Sequence, residues 1–190
     1  MKKRIGLLLL PLVLLGIGCA SDDIANSTTE TIVLDRDAIL LQAKENGLIM
    51  DDAEIGGMTD HGVDSAPTSA WVNPDQDVKG WSSAALADVT AGQSFGLAYS
   101  SYENGKYTLI AKMGNLPLPG EGYFYEGWIV RRGNEMSVVS TGVVSLKADQ
   151  YVNTFSVYQD LSDHDFYVLT LEPDDGDPAP AEHILEGILK

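Results

Sequence analysis

The chain has 190 residues, with 28 acidic against 12 basic side chains and a formal net charge of −16. Nucleic acid and anionic membrane surfaces repel such a surface, so neither is expected as a direct partner. The single cysteine, Cys19, excludes an internal disulfide, and the folded part must be held by its core alone.

Lys2-Lys3-Arg4 precedes an apolar run from Ile5 to Ile17 that is broken only by Gly6, Pro11 and Gly16. A basic start, an apolar stretch and small residues around Cys19 read as an export signal. A cysteine at that place points to a lipoprotein. Residues 1–18 would be the signal peptide, and a lipid on the Cys19 thiol would anchor the chain in the membrane. Gly16 stands where such a box usually carries a larger aliphatic residue. Plain secretion would leave the cysteine without a use. A retained membrane helix wants roughly 20 apolar residues, and this run is shorter and carries Pro11 near its centre. All three readings put the rest of the chain on the extracytoplasmic side of the cell membrane. Without Lys2, Lys3 and Arg4, the 12 basic residues fall by three against 28 acidic ones, a net charge of about −19.

Residues 19–80 have the composition of an acidic tether. From Ser21 to Gly80 there are 13 acidic residues, and Arg36, Lys44 and Lys79 are the only bases. Within it, the stretch from Asp37 to Asn46 predicts a short helix. Asp35 or Asp37 would cap its start, and Gly47 suits the left-handed position after its end. From Asp51 to Pro74 no sustained period is visible.

From Trp81 to Lys190 short β-branched and aromatic runs alternate with Gly, Pro, Asn and Asp turns. The predicted strands are Ala84–Val89, Ser94–Ser101, Tyr107–Met113, Tyr123–Arg131, Ser137–Leu146, Tyr151–Tyr158, Phe166–Leu171 and Ile184–Leu189. Glu103-Asn104-Gly105-Lys106 supplies the positive φ angles of a tight hairpin. In the strand that follows, Tyr107, Leu109, Ala111 and Met113 alternate with Thr108, Ile110 and Lys112, and Ile110 spoils the polar face. This density of strands predicts an all-β fold, an antiparallel β-sandwich of the immunoglobulin-like two-layer kind over residues 81–190. A domain of that size buries enough core to stand without cross-links.

Five pieces of this domain form an ordered pattern. They are Ala85-Leu86-Ala87-Asp88-Val89, Tyr125-Glu126-Gly127-Trp128-Ile129-Val130, Ser140-Thr141-Gly142, the stretch from Thr170 to Pro180, and His183-Ile184-Leu185-Glu186-Gly187. Together they resemble the extracytoplasmic C-terminal domain of the anti-sigma-K factor family, over Trp81 to Lys190. Full-length members of that family have a cytoplasmic helical domain that holds a sigma factor, one membrane helix, and an outer domain that responds or docks. The resemblance implies a sensing or protein-interaction module facing a protein partner in the cell envelope. This chain shows no cytoplasmic domain and no His-Cys-Cys zinc set, so direct inhibition of a sigma factor is not expected of it.

Tyr125, Glu126 and Trp128 are the candidate partner- or ligand-contact residues. Structural roles suit them better, since two large aromatics contribute apolar area to a core without disulfides. Alternation puts Tyr123, Tyr125, Gly127 and Ile129 on one face and Phe124, Glu126, Trp128 and Val130 on the other. Arg131-Arg132 at the strand end would partner Glu126. Asp174-Asp175-Gly176-Asp177 resembles a fragment of a calcium loop but lacks the full spacing and terminal Glu. Asp160 to Asp165, with His164, is a second acidic turn. His61, His164 and His183 share no metal-ligand spacing, so no metal and no cofactor are expected. No glycine-flanked nucleophile elbow or phosphate-cradling loop appears, and no catalytic residues are assigned. A surface lipoprotein that binds glycan or calcium is the alternative. A hydrolase is a third, and a deep pocket lined by Asp or Glu with His164 or His183 would revive it.

Overall fold

The computed structural model describes residues 35–64 and 69–190. The expected signal peptide and Cys19 lie outside the described residues. Two helices precede nine strands. They are α1 (Arg36–Glu45), α2 (Asp52–His61), β1 (Ser82–Asp88), β2 (Phe95–Glu103), β3 (Lys106–Gly114), β4 (Tyr123–Arg131), β5 (Ser137–Val143), β6 (Ser145–Lys147), β7 (Gln150–Val157), β8 (Phe166–Pro173) and β9 (Glu182–Ile188).

The Asn-Gly turn behaves as its chemistry dictates. Asn104 and Gly105 take φ of 54° and 77°, and Glu103 faces Lys106 across the hairpin. The predicted alternation holds in β3, where Tyr107, Leu109, Ala111 and Met113 all join the interior core. Ile110 is buried as well, on the other face, in a groove it shares with Pro74 and Val78. Their segment is tied down by Asp75 against Lys112, at 2.8 Å.

The expected two-layer sandwich is not what forms. All nine strands belong to one antiparallel sheet in the order β5-β4-β8-β9-β1-β2-β3-β7-β6. Leu86, Ala98, Leu109, Ile129, Phe155 and Leu169 come from six different strands and share one interior cluster. The sheet therefore curls around a single core into a nearly closed barrel. Alternation along a strand reports which face is buried. It does not report whether the facing strands belong to a second sheet or to the same one bent round, and that is why the two-layer expectation failed.

Closure has a covalent cause. The predicted run Ser137–Leu146 divides at Val144 into β5, which pairs with β4 at one end of the sheet, and β6, which pairs with β7 at the other. Val144 N–H donates to the Tyr125 carbonyl at 2.8 Å. Between β5 and β7 the ladder is replaced by a side chain. Asn153 on β7 donates from Nδ2 to the carbonyls of Thr141 (3.2 Å) and Gly142 (2.9 Å). Its Oδ1 accepts from Thr141 Oγ1 (2.6 Å) and Tyr167 OH (3.2 Å). Gly127 leaves room for this knot, because a Cβ there would lie 2.5 Å from Asn153 Oδ1.

A second cluster lies outside the barrel. Trp128, Val130 and Val138 with Phe166 and Val168 present an apolar outer face, which Met50 and Met58 cover. α1 matches the predicted helix. Asp35 caps it by accepting from Ala38 N–H (3.2 Å), and Gly47 has φ of 64°. α2 falls in the stretch where no period was visible. Its apolar content is too low and its Gly56-Gly57 pair too flexible to print a helical stripe. What specifies it is a capping box, Asp51 with Glu54. Arg132 clamps the two helices to the sheet. Its guanidinium stacks 4.1 Å above the Phe166 ring, donates to the Gly47 carbonyl at 3.1 Å and lies 3.9 Å from Glu54.

Asn153→Ala is expected to lower unfolding free energy by about 2–4 kcal/mol, because it strands buried carbonyls and hydroxyls at once. Gly127→Ala should cost a similar amount by pushing the knot apart. Urea midpoints of the two variants check this, and unchanged midpoints would show that closure does not depend on the knot.

Candidate functional site

β4 runs between β5 and β8, so the side chains of Tyr125, Glu126 and Trp128 are fixed by neighbours on both sides. Tyr125 is 4% exposed, lies in the interior cluster and donates its hydroxyl to the Pro117 carbonyl at 3.2 Å. Trp128 is 2% exposed on the outer face beneath the helices, and its indole N–H donates to Thr170 Oγ1 at 2.7 Å. Glu126 is half-buried and accepts from Ser140 Oγ. Arg131 and Arg132 bond elsewhere, so neither is the partner of Glu126 that the sequence suggested.

Glu126 belongs to a band of polar groups that crosses three strands. Thr170 stands opposite it on β8, and His183 opposite Thr170 on β9. Burial is the main cause that pushes the Glu126 carboxyl up from its ordinary range. Ser140 opposes that rise, and the charge of Glu172 adds to it. Glu172 is buried and accepts the Ala181 N–H at 2.9 Å. Glu186 pairs with His183 Nδ1 at 2.7 Å and accepts Met50 N–H at 2.6 Å, so it pins the link between α1 and α2 to the sheet. His183 Nε2 is buried with no partner among the described residues.

A second polar cluster lines a cavity of about 490 Å³ at the other edge of the helical cap. Arg131 Nη1 meets Asp163 Oδ2 at 2.7 Å, and Asp163 Oδ1 meets His164 Nδ1 at 2.7 Å. His164 Nε2 lies 2.9 Å from Ser137 Oγ, which donates to Asp64 Oδ2 at 2.5 Å. His61 Nε2 stands 3.8 Å from the same Asp64 oxygen. The Ser137 hydrogen bond is the main cause that holds the Asp64 carboxyl below its usual range, and the Arg131 hydrogen bond does the same for Asp163.

Ser137, His164 and Asp163 thus have the spacings of a nucleophilic triad, and the cavity contains the Asp and His164 expected of a hydrolase. One feature of a triad is altered. The Ser137 hydroxyl is directed to Asp64, which competes with His164 Nε2 for its single proton. The sequence flagged His164 within an acidic turn and as a residue that a deep acid-lined pocket would make relevant to a hydrolase. Nothing in the spacing of Asp64, Ser137 and His164 announces that the fold brings them together.

In the remaining acidic turn, Asp175 Oδ1 and Asp177 Oδ1 accept the N–H groups of Asp177 and Ala179, each at 2.9 Å. Among the described residues no group of three or more His, Cys, Asp or Glu is placed to hold a metal ion. The free surface also carries an apolar strip. Phe95 and Leu97, at 61% and 48% exposure, alternate outward on β2 with the half-buried Tyr99 beside a groove of about 320 Å³.

The fold and these clusters define a mostly β domain, one curled antiparallel sheet with a helical cap on its outer face. The chain matches the family model described as "Anti-sigma-K factor rskA, C-terminal" over residues 41–184, and so it belongs to that family. The match takes in the second half of α1, all of α2 and the strands up to the start of β9. No curated protein and no solved structure matches the chain.

Glu126→Gln is expected to raise stability at neutral pH. Burial raises the folded carboxyl above its unfolded value, so the folded state holds the proton more tightly. Stability then falls as pH climbs from the ordinary carboxylate range through the raised value. Denaturant titrations at stepwise pH should show that fall in the wild type and a flatter profile in the variant. Equal slopes would count against a buried charge at Glu126.

Proposed function

We propose that the protein is a membrane-anchored, extracytoplasmic sensing or protein-interaction module, attached through a lipid on Cys19. In this role it meets a protein partner in the cell envelope and does not itself inhibit a sigma factor. Membership of the anti-sigma-K factor family over residues 41–184 is the observation that carries the proposal. The apolar run ending at Cys19 supports the anchor. Among the described residues, no helix is long and apolar enough to cross a membrane.

The distribution of polar groups supports contact over turnover. Glu126, Glu172, Glu186, Asp64, Asp163, His164 and His183 each take part in a hydrogen bond within the fold, and the Ser137 hydroxyl is directed to Asp64. Tyr125 and Trp128 would act by stiffening the body, and Glu126 has partial solvent access beside them. The Phe95, Leu97 and Tyr99 strip offers apolar area to a partner, with the Lys112–Asp75 ion pair beside it.

Cys19→Ala should abolish incorporation of labelled fatty acid and release the protein from the membrane fraction. Cross-linking of the lipidated wild type in intact cells should recover a defined envelope protein, and Leu97→Glu should reduce that recovery about tenfold, the change that 1.4 kcal/mol brings. The melting temperature should stay unchanged in Leu97→Glu. An undiminished yield with Leu97→Glu would remove the strip from the interface, and no cross-linked protein at all would overturn the interaction role.

A further inference from the structure

We propose that the chain Asp163–His164–Ser137–Asp64 is a proton-dependent latch that fastens the end of α2 to β5, closed while the His164 imidazole carries two protons and loosened when it loses one. The case rests on a count of hydrogen atoms. Asp163 and Asp64 both accept. His164 touches Asp163 through Nδ1 and Ser137 through Nε2, and Ser137 passes its own proton on to Asp64. All three bonds are filled together only when both ring nitrogens donate. With one proton gone, the imidazole keeps Nδ1–H on Asp163 and turns a lone pair toward Ser137. The hydroxyl then serves either His164 or Asp64, and one charge-assisted bond is lost.

The position of the latch gives that loss an effect. Asp64 is the first residue beyond the end of α2 to bridge the sheet, in parallel with Val139 of β5. Its other ties there are the bond from its own N–H to the Val138 carbonyl (2.9 Å) and a long one from Val138 N–H (3.3 Å). α2 buries only Met58 and carries Gly56-Gly57, so it has little helical stability of its own. Opening at Asp64 would free Met58 to leave Trp128 and expose the outer apolar face. The fold thus holds a pH-sensitive control over its helical cap. It is a property of the folded chain, independent of the partner proposed above, and it survives if that partner does not exist.

The charged groups around His164 come from every neighbouring element. Asp163 shares its loop, with Arg131 of β4 bound to Asp163 and Glu135 near Arg131. Asp64 and His61 come from the end of α2, and Asp160 lines the same cavity. Of these, His61 is the other imidazole, so the test separates the two histidines.

Amide hydrogen exchange of the full chain in detergent micelles, corrected for intrinsic rate, reads the latch at Asp64 N–H between about pH 5 and 8, the span in which imidazoles exchange their proton. Protection at Asp64 should fall at least about tenfold with rising pH, the factor carried by one charge-assisted hydrogen bond. His164→Gln and Ser137→Ala should each give protection that no longer varies over this range, and His61→Gln should keep the wild-type profile. If His164→Gln does not fold, Ser137→Ala alone decides. A flat wild-type profile overturns the proposal, as does a transition that persists in Ser137→Ala or disappears in His61→Gln.

Discussion

One stretch of backbone, residues 137–147, serves both ends of the sheet, and the rest of the architecture follows from that double use. Its first half bonds to β4 and its second half to β7, so the ends of a nine-stranded sheet cannot drift apart. At Thr141 the β4–β5 register shifts, and the carbonyls of Thr141 and Gly142 turn to Asn153. Asn153 uses both halves of its amide, its two donors satisfying carbonyls and its oxygen accepting two hydroxyls. Only a glycine at 127 leaves space for three polar atoms to converge. Burial pushes the Tyr167 phenol up, which keeps it a neutral donor to this knot.

Curling the sheet also creates an outside. A central strand in a flat sheet covered on one face would alternate apolar and polar residues, yet β4 is apolar on both. Tyr125 and Ile129 fill the barrel, and Trp128 and Val130 need a separate cover. The helices provide it at low intrinsic stability. α1 buries no side chain among its ten residues, so it is held through its ends and neighbours rather than by a packed stripe. Three polar ties fix the cap at its margins, through Glu186, Arg132 and Asp64. Apolar contact supplies the adhesion, and these margins set the position.

Much of the local structure was legible in the chain. Short-range rules sufficed for the Asn104-Gly105 turn, for the β4 limits at Tyr123 and Arg131, and for α1 with Gly47 at its end. The parts that were hidden depend on partners distant in sequence. The split at Val144 has no local marker, since Gly142-Val143-Val144-Ser145 reads as continuous strand. Glu126 was correctly placed beside buried aromatics, but its neighbours Ser140 and Glu172 are set by a pairing order that alternation cannot reveal. α2 had one readable sign, the Asp51 and Glu54 capping box, and the glycine pair masked it. The tether composition of the preceding region was real, yet Met50 and Met58 are enough to draw that acidic segment onto the barrel.

The same contrast separates contact from chemistry in this domain. Distances alone make Ser137, His164 and Asp163 look like a catalytic set. Asp64 changes their meaning, because its carboxylate competes with the imidazole for the one hydroxyl proton. A nucleophile requires a base with a free lone pair beside it. Here the chain of polar groups runs from the loop before β8 across β5 to the end of α2. Such an order joins elements and resists their separation, and its strength follows the charge on one ring. The domain's polar clusters therefore bear on the attachment of its cap, and the exposed Phe95 and Leu97 on β2 stand apart from them.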